Sequence, residues 1–204
     1  MSFFKENRTA GIALMVLGAI NLIVGLVALV TALTAGDIVV SAVVACIGPI
    51  IMAALYLRFG ISVKNGGVPK KIDILAYFVR LAGLSEIIIA VFNLWNAIET
   101  EGALAAIVAL AVSIIIGLII LFIAGRINDG KQDTGDKIIW IILVVLFAIS
   151  AVLDILAIIG IFTAGVAFDW TLLSTVILPI ASFIIDVFML LLLFDSDVKR
   201  EMNM

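Results

Sequence analysis

Six apolar runs, each long enough to cross a lipid bilayer, dominate this sequence. A membrane-spanning helix needs about 20 mostly apolar residues. The runs of that length are Thr9–Leu33, Ile38–Phe59, Ile72–Ala97, Ala103–Ala124, Ile138–Thr163 and Trp170–Phe194. Apolar residues make up 65% of the 204 positions, which leaves too few polar side chains to cover a water-facing surface. The sequence therefore predicts an all-α integral membrane protein with six transmembrane helices, forming a single domain over residues 1–204.

The connections between these runs alternate in length. Those after the first, third and fifth runs are short: Thr34–Asp37, Ile98–Gly102 and Ala164–Asp169. Those after the second and fourth runs are longer and more polar, at Gly60–Lys71 and Gly125–Lys137. This alternation predicts three sequential helical hairpins, over about residues 9–63, 72–128 and 138–196.

All basic residues other than Arg80 fall on one side of the predicted hairpins. They lie before the first run, around the two long connections and in the tail: Lys5, Arg8, Arg58, Lys64, Lys70, Lys71, Arg126, Lys131, Lys137, Lys199 and Arg200. The short connections carry only acidic charges: Asp37, Glu99, Glu101 and Asp169. Because Lys and Arg are enriched in cytoplasmic loops, we expect a multi-pass protein of the inner or plasma membrane with both termini cytoplasmic.

The first helices of the three hairpins share a short motif. Gly18-Ala-Ile-Asn21 corresponds to Gly83-Leu-Ser-Glu86 and to Ala151-Val-Leu-Asp154. Pro49 and Pro179 hold equivalent places in the second helices of the first and third hairpins, where they kink the helix or serve as hinges. The pattern predicts a threefold internal repeat, with its first helices grouped around a pseudo-threefold axis.

Stripes of small residues predict which helix faces pack together, because small side chains let helix backbones approach closely in lipid. The first run carries Gly11, Gly18, Asn21, Gly25, Ala28 and Ala32 on one stripe. The third carries Ala76, Gly83, Glu86, Ala90, Asn93 and Ala97. The fourth carries Ala105, Ala109, Ser113 and Gly117. The last of these is also a candidate docking face for a partner in a membrane complex.

Four ionisable side chains lie well inside the runs, where an isolated charge costs at least about 2.5–3.5 kcal/mol. Arg80 and Asp186 have opposite signs and similar depths, which predicts an interhelical ion pair; an anion or headgroup site at Arg80 is the alternative. Glu86 and Asp154 lie deeper, at the positions equivalent to Asn21.

Glu86 and Asp154 have no Lys or Arg at their own depth in the sequence. One hypothesis is therefore that one or both are protonated at neutral pH and hydrogen-bond to Asn21 or Asn93, forming a site for a proton or small cation. The alternative is that they act as neutral links between helices.

Several classes of function find no support in the residues. The chain has no His, a net charge of −3 and one cysteine, Cys46, which is expected to pack as a small apolar side chain. Phosphate-binding glycine loops, nucleophile elbows and zinc-protease motifs are absent from the sequence. We therefore expect no enzymatic activity, no cofactor, no metal site and no nucleic-acid partner. Membrane lipids are the expected partners, together with either further copies of the chain or a larger membrane complex.

The pattern RTAGIALMVLGAINLIVG at Arg8–Gly25, and the turn Ala35-Gly36-Asp37-Ile38, give the chain a family resemblance. With its three consecutive hairpins it resembles the HdeD-like membrane proteins, which are built from the short DUF308 repeat. The resemblance implies a prokaryotic inner-membrane protein, structural or related to stress and acid resistance, with no catalytic residues to carry over. Two alternatives remain: a small transporter or substrate-binding subunit that uses the intramembrane carboxylates, and an accessory subunit of a membrane complex.

Overall fold

The computed structural model of the chain describes residues 7–36, 38–130, 134–163 and 170–204. All regular secondary structure in these ranges is helical. The helices are α1 (Asn7–Thr34), α2 (Val40–Ala45), α3 (Ile47–Lys64), α4 (Lys71–Glu101), α5 (Ala103–Ile127), α6 (Thr134–Thr163), α7 (Trp170–Leu193) and α8 (Ser196–Glu201). The predicted all-α fold is confirmed, and the predicted runs begin and end within a few residues of these helices, except where the second run divides into α2 and α3.

Five stretches are long and apolar enough to cross a membrane: α1, α2 with α3, α4, α5 and α6. In α7 the apolar stretch found among the described residues is Ser182–Leu193. Large apolar side chains cover the outside of the molecule; Leu104 is 79% exposed, Phe122 71% and Phe162 69%. Hydrocarbon solvates such a surface and water does not, so length, composition and exposure together indicate a membrane protein.

Helices that follow one another in the chain make the most extensive contacts. α1 packs along α3, α4 along α5 and α6 along α7. The turn between α4 and α5 is the single residue Gly102, whose φ of 90° is a backbone conformation that glycine adopts without strain. Further contacts of α3 with α4, α1 with α7, α4 with α7, and α5 with α6 join the three pairs.

Glycines on α1 set its distance from α3. A Cβ added to Gly11 would lie 2.2 Å from the backbone nitrogen of Lys64, and one added to Gly18 would lie 2.5 Å from that of Leu57. At Gly25 a Cβ would lie 2.9 Å from the Ile50 side chain. The prediction that this glycine stripe packs against another helix is confirmed.

Close approach at glycines also joins α4 to α5. A Cβ on Gly83 would lie 2.9 Å from the carbonyl oxygen of Gly117, and one on Gly117 would lie 2.8 Å from that of Gly83. The fourth predicted run therefore turns its glycine toward α4 of the same chain.

The helix of the second predicted run is interrupted at Cys46. Three residues further on, Pro49 lies in the first turn of α3, and its ring removes one backbone donor from the helical ladder. The Cys46 thiol donates to the carbonyl of Ala42 at 3.3 Å and is half-buried. α7, by contrast, continues as helix through Pro179.

A polar network ties the helix ends at one end of the bundle. Lys71 Nζ lies 2.8 Å from Asp195 Oδ2 and 3.2 Å from Asp197 Oδ2. Asp195 also caps α8 by accepting the backbone N–H of Asp197 at 3.0 Å. The indole N–H of Trp140 donates to the carbonyl of Leu193 at 2.8 Å. These contacts join the starts of α4 and α6 to the end of α7.

Two amide side chains extend this network to α1 and α5. Asn7 donates to the carbonyl of Pro69 at 2.6 Å, and Asn128 donates to Asp73 Oδ1 at 2.9 Å. At the opposite end, the hydroxyl of Ser41 donates to Glu99 Oε2 and links α2 to α4. Of the residues used to predict orientation, Lys5, Asp37, Lys131 and Asp169 lie outside the described ranges.

Candidate functional site

A cavity of about 680 Å³ lies between α1, α3, α4, α6 and α7. Its polar lining comes from Asn21, Tyr56, Ser85, Glu86, Ser150, Asp154, Ser182 and Asp186. Its apolar lining comes from Pro49, Met52, Ala53, Phe78, Ala82, Ile89, Phe147, Pro179 and Ile185. The described residues that line the cavity include no Lys or Arg, so its charged groups are the three carboxyls.

The three residues that the sequence predicts as equivalent, Asn21, Glu86 and Asp154, all line this cavity. They stand on α1, α4 and α6, the first long helix of each pair. The side-chain amide of Asn21 donates to the carbonyl of Leu17 at 3.0 Å, which leaves its side-chain oxygen as the atom that can accept a hydrogen bond from a guest. Glu86 is exposed and Asp154 is half-buried.

Asp186 joins this set from α7, and sequence reasoning had given it another role. It is buried, at 5% exposure, and it lies beside Asp154 and Ser150. One oxygen of each aspartate, Oδ2, is buried and makes no hydrogen bond. Two carboxyls with unsatisfied oxygens therefore face each other across the contact between α6 and α7.

The predicted ion pair between Arg80 and Asp186 is not formed. Arg80 is exposed and lines a separate pocket of about 240 Å³ with Tyr77, Asp73 and Asn128, at the end tied by the polar network. Asp186 points into the central cavity. A similar depth in the sequence does not determine which face of a helix a side chain occupies, and these two residues line different pockets.

Asn93 lies outside the central cavity as well. It lines a groove of about 230 Å³ between α4 and α5, together with Ser85, Glu86 and Ser113. Its side-chain oxygen accepts a hydrogen bond from Asn96 at 3.4 Å. Glu86 borders both the groove and the central cavity.

The small-residue ladder of α5 is buried toward one end: Gly117 is buried and Ser113 half-buried, whereas Ala105 and Ala109 are exposed. Ala109 and Ser113 line the groove toward α4, and Gly117 contacts the backbone of Gly83. α4 of the same chain occupies the Gly117 end of this ladder, and the docking face stays a prediction for the exposed Ala105 and Ala109. The outer face of α5 instead presents large exposed side chains, among them Leu118 and Phe122.

Sequence reasoning missed the serines of the cavity, although a signal for them exists. Ser150 precedes Asp154 by four residues, and Ser182 precedes Asp186 by four. Residues four apart share one face of a helix, so each serine lies one turn from its aspartate on the face that lines the cavity. This paired spacing could have marked α7 as a contributor.

The three carboxyls of the cavity do not form one compact cluster. Within the described ranges, no three side chains of the His, Cys, Asp or Glu type converge closely enough to hold a metal. Asp154 and Asp186 are neighbours, while Glu86 stands apart from them on α4.

Comparison with family models, with curated proteins and with solved structures found no match to this chain.

Proposed function

We propose that this chain is a membrane carrier that binds a small, positively charged solute in the central cavity. The observation that carries the proposal is a cavity with carboxyls from α4, α6 and α7 and no Lys or Arg among its described lining residues. In a medium of low dielectric, uncompensated negative groups attract a cation strongly. A positively charged guest would offset part of the negative charge that the protein itself leaves uncompensated.

The rest of the lining suggests that the guest has an apolar body. Tyr56, Phe78 and Phe147 line the cavity beside the carboxyls. Aromatic faces attract organic cations as well as apolar groups. The volume of about 680 Å³ falls in the usual range for small-molecule sites, about 300–1,000 Å³. We therefore expect an organic monocation rather than a bare metal ion.

Our proposal for the membrane arrangement has six spans with α7 as the sixth, in three hairpins, and both termini on the cytoplasmic side of an inner or plasma membrane. The pairing of consecutive helices supports it. So does the network around Lys71, Asn128 and Asp195, which gathers helix ends on the side where the basic residues lie. The common cavity of Asn21, Glu86 and Asp154 supports the threefold repeat in the same way.

Cysteine accessibility tests whether the cavity is wet and selects for cations. In a Cys46→Ser background, Ser182→Cys places a thiol in the cavity, and Val112→Cys places one on the exposed apolar face of α5. A cationic trimethylammonium-ethyl methanethiosulfonate should modify Ser182→Cys at least about tenfold faster than its anionic sulfonato-ethyl counterpart. Val112→Cys, bathed in lipid, should react slowly with both.

Other outcomes of this experiment favour the alternatives. No reaction at Ser182→Cys with either reagent would mean that the cavity is packed dry, as a structural protein requires. Equal rates for the two reagents would contradict cation selection. The resemblance to HdeD-like proteins, with the structural or stress-related function it implies, stays a prediction, as does the absence of enzymatic activity. An accessory role in a larger complex would use the outer face of α5.

A further inference from the structure

The contact between α6 and α7 contains two adjacent carboxyls, one buried and one half-buried. The Asp186 side chain is buried, with 5% of the residue exposed, and Asp154 beside it is half-buried. The Oδ2 atoms of both residues are buried and make no hydrogen bond. An ionised carboxylate that lacks donors in such surroundings is strongly disfavoured, and two adjacent ones are disfavoured further by repulsion.

No positive group of the described lining relieves this repulsion. The titratable groups that face the pair across the cavity are Glu86 of α4 and Tyr56 of α3. From α1 the cavity receives Asn21, which is neutral. Ser150 lies beside Asp186 and can donate one hydrogen bond, which satisfies one oxygen of the four in the pair.

We infer that Asp154 and Asp186 hold a single proton between them in the empty cavity, and that a monovalent cation entering the cavity displaces this proton. A shared proton supplies the missing donor, because a protonated carboxyl donates to its ionised neighbour. The exchange balances in charge: one positive guest enters, and one proton leaves through the cavity to water. The inference rests on the proposed function and adds proton exchange to it.

Infrared difference spectroscopy of the purified full chain tests the shared proton directly. At neutral pH the protein should show the carbonyl stretch of one protonated carboxyl from this pair. Asp154→Asn and Asp186→Asn should each abolish that band, because the remaining aspartate no longer faces a like charge and gains an amide donor. Glu86→Gln, a cavity carboxyl outside the pair, should retain it as the matched control.

Two patterns would overturn the shared proton. One is the absence of the band from the unmodified protein at neutral pH. The other is its persistence at full height in either single aspartate variant, which would mean that burial neutralises one residue independently of the other.

Proton release on cation binding tests the exchange without any variant. Tetraphenylphosphonium, an organic monocation with no proton of its own to lose, is added to the protein in weakly buffered detergent, and pH and bound cation are recorded together. We expect about one proton released per cation bound near neutral pH. Binding without release would overturn the exchange and leave the proposed function standing. Failure of the cation to bind would overturn both, even when the infrared band is present.

Discussion

Replacing Gly18 with alanine would place a methyl group inside the backbone of α3. The new Cβ would lie 2.5 Å from the backbone nitrogen of Leu57 and 2.7 Å from its Cα. Both atoms belong to the main chain, so no side-chain rotation can relieve the overlap. To restore an ordinary contact of 3.4 Å, the two helices must separate by about 0.9 Å at this level.

The cost follows from the packing that this separation disrupts. Forcing an extra methyl into a well-packed interface costs about 1–3 kcal/mol. For a chain of this size, each kcal/mol corresponds to a change of about 2–4 °C in unfolding midpoint. We therefore expect Gly18→Ala to lower the midpoint by roughly 2–12 °C.

The single cysteine of the chain provides the assay. Cys46 is half-buried between α2 and α3, so a thiol-reactive fluorophore in detergent reports its exposure as the protein unfolds. Gly160→Ala is the matched control, because a Cβ at Gly160 of α6 would meet nothing within 4 Å. An unfolding midpoint of Gly18→Ala equal to that of Gly160→Ala would refute the close approach of α1 and α3.

Two further predictions concern the polar network, and the same thermal assay measures both. Asp195→Asn should lower the unfolding free energy by about 2 kcal/mol, because it breaks the ion pair with the largely buried Lys71. The loss is limited because Asn still caps α8 and the Asp197 carboxylate still contacts the ammonium of Lys71. An effect no larger than that of an exposed surface substitution would contradict a role for this pair. Trp140→Phe should cost about 1–2 kcal/mol, since it leaves the terminal carbonyl of α7 without its buried 2.8 Å donor. An unchanged midpoint would show that the carbonyl finds another donor.

Periodicity and composition predict most of this fold. The length of an apolar run sets the length of a helix, and a glycine every seven residues on α1 marks the face that meets α3. The positions of Asn21, Glu86 and Asp154 in one cavity also follow the motif that the three hairpins share. Local sequence determines the length of each helix. The glycine face and the shared cavity positions follow once neighbouring helices are paired.

The features that the sequence did not predict depend on rotation of one helix about its axis relative to another. Arg80 and Asp186 match in depth and charge, yet α4 directs Arg80 away from the cavity while α7 directs Asp186 into it. Asn93 likewise faces the groove toward α5. The division of the second run at Cys46 and the short helix α8 were also missed. The Asp195-Ser196-Asp197 sequence, a typical helix N-cap, could have predicted α8.

The spacing of the α1 glycines also restricts how the molecule can rearrange. Gly11, Gly18 and Gly25 fit against Lys64, Leu57 and Ile50, and both series advance by seven residues in opposite directions. These close contacts cover 14 residues, or about 21 Å of helix. A slide of one residue would bring larger side chains against the α3 backbone at the Gly11 and Gly18 contacts and against the Ile50 side chain at the Gly25 contact. These three contacts therefore fix the register of α1 against α3. In the proposed carrier, a motion that exposes the cavity alternately to the two sides of the membrane would therefore involve the remaining helices.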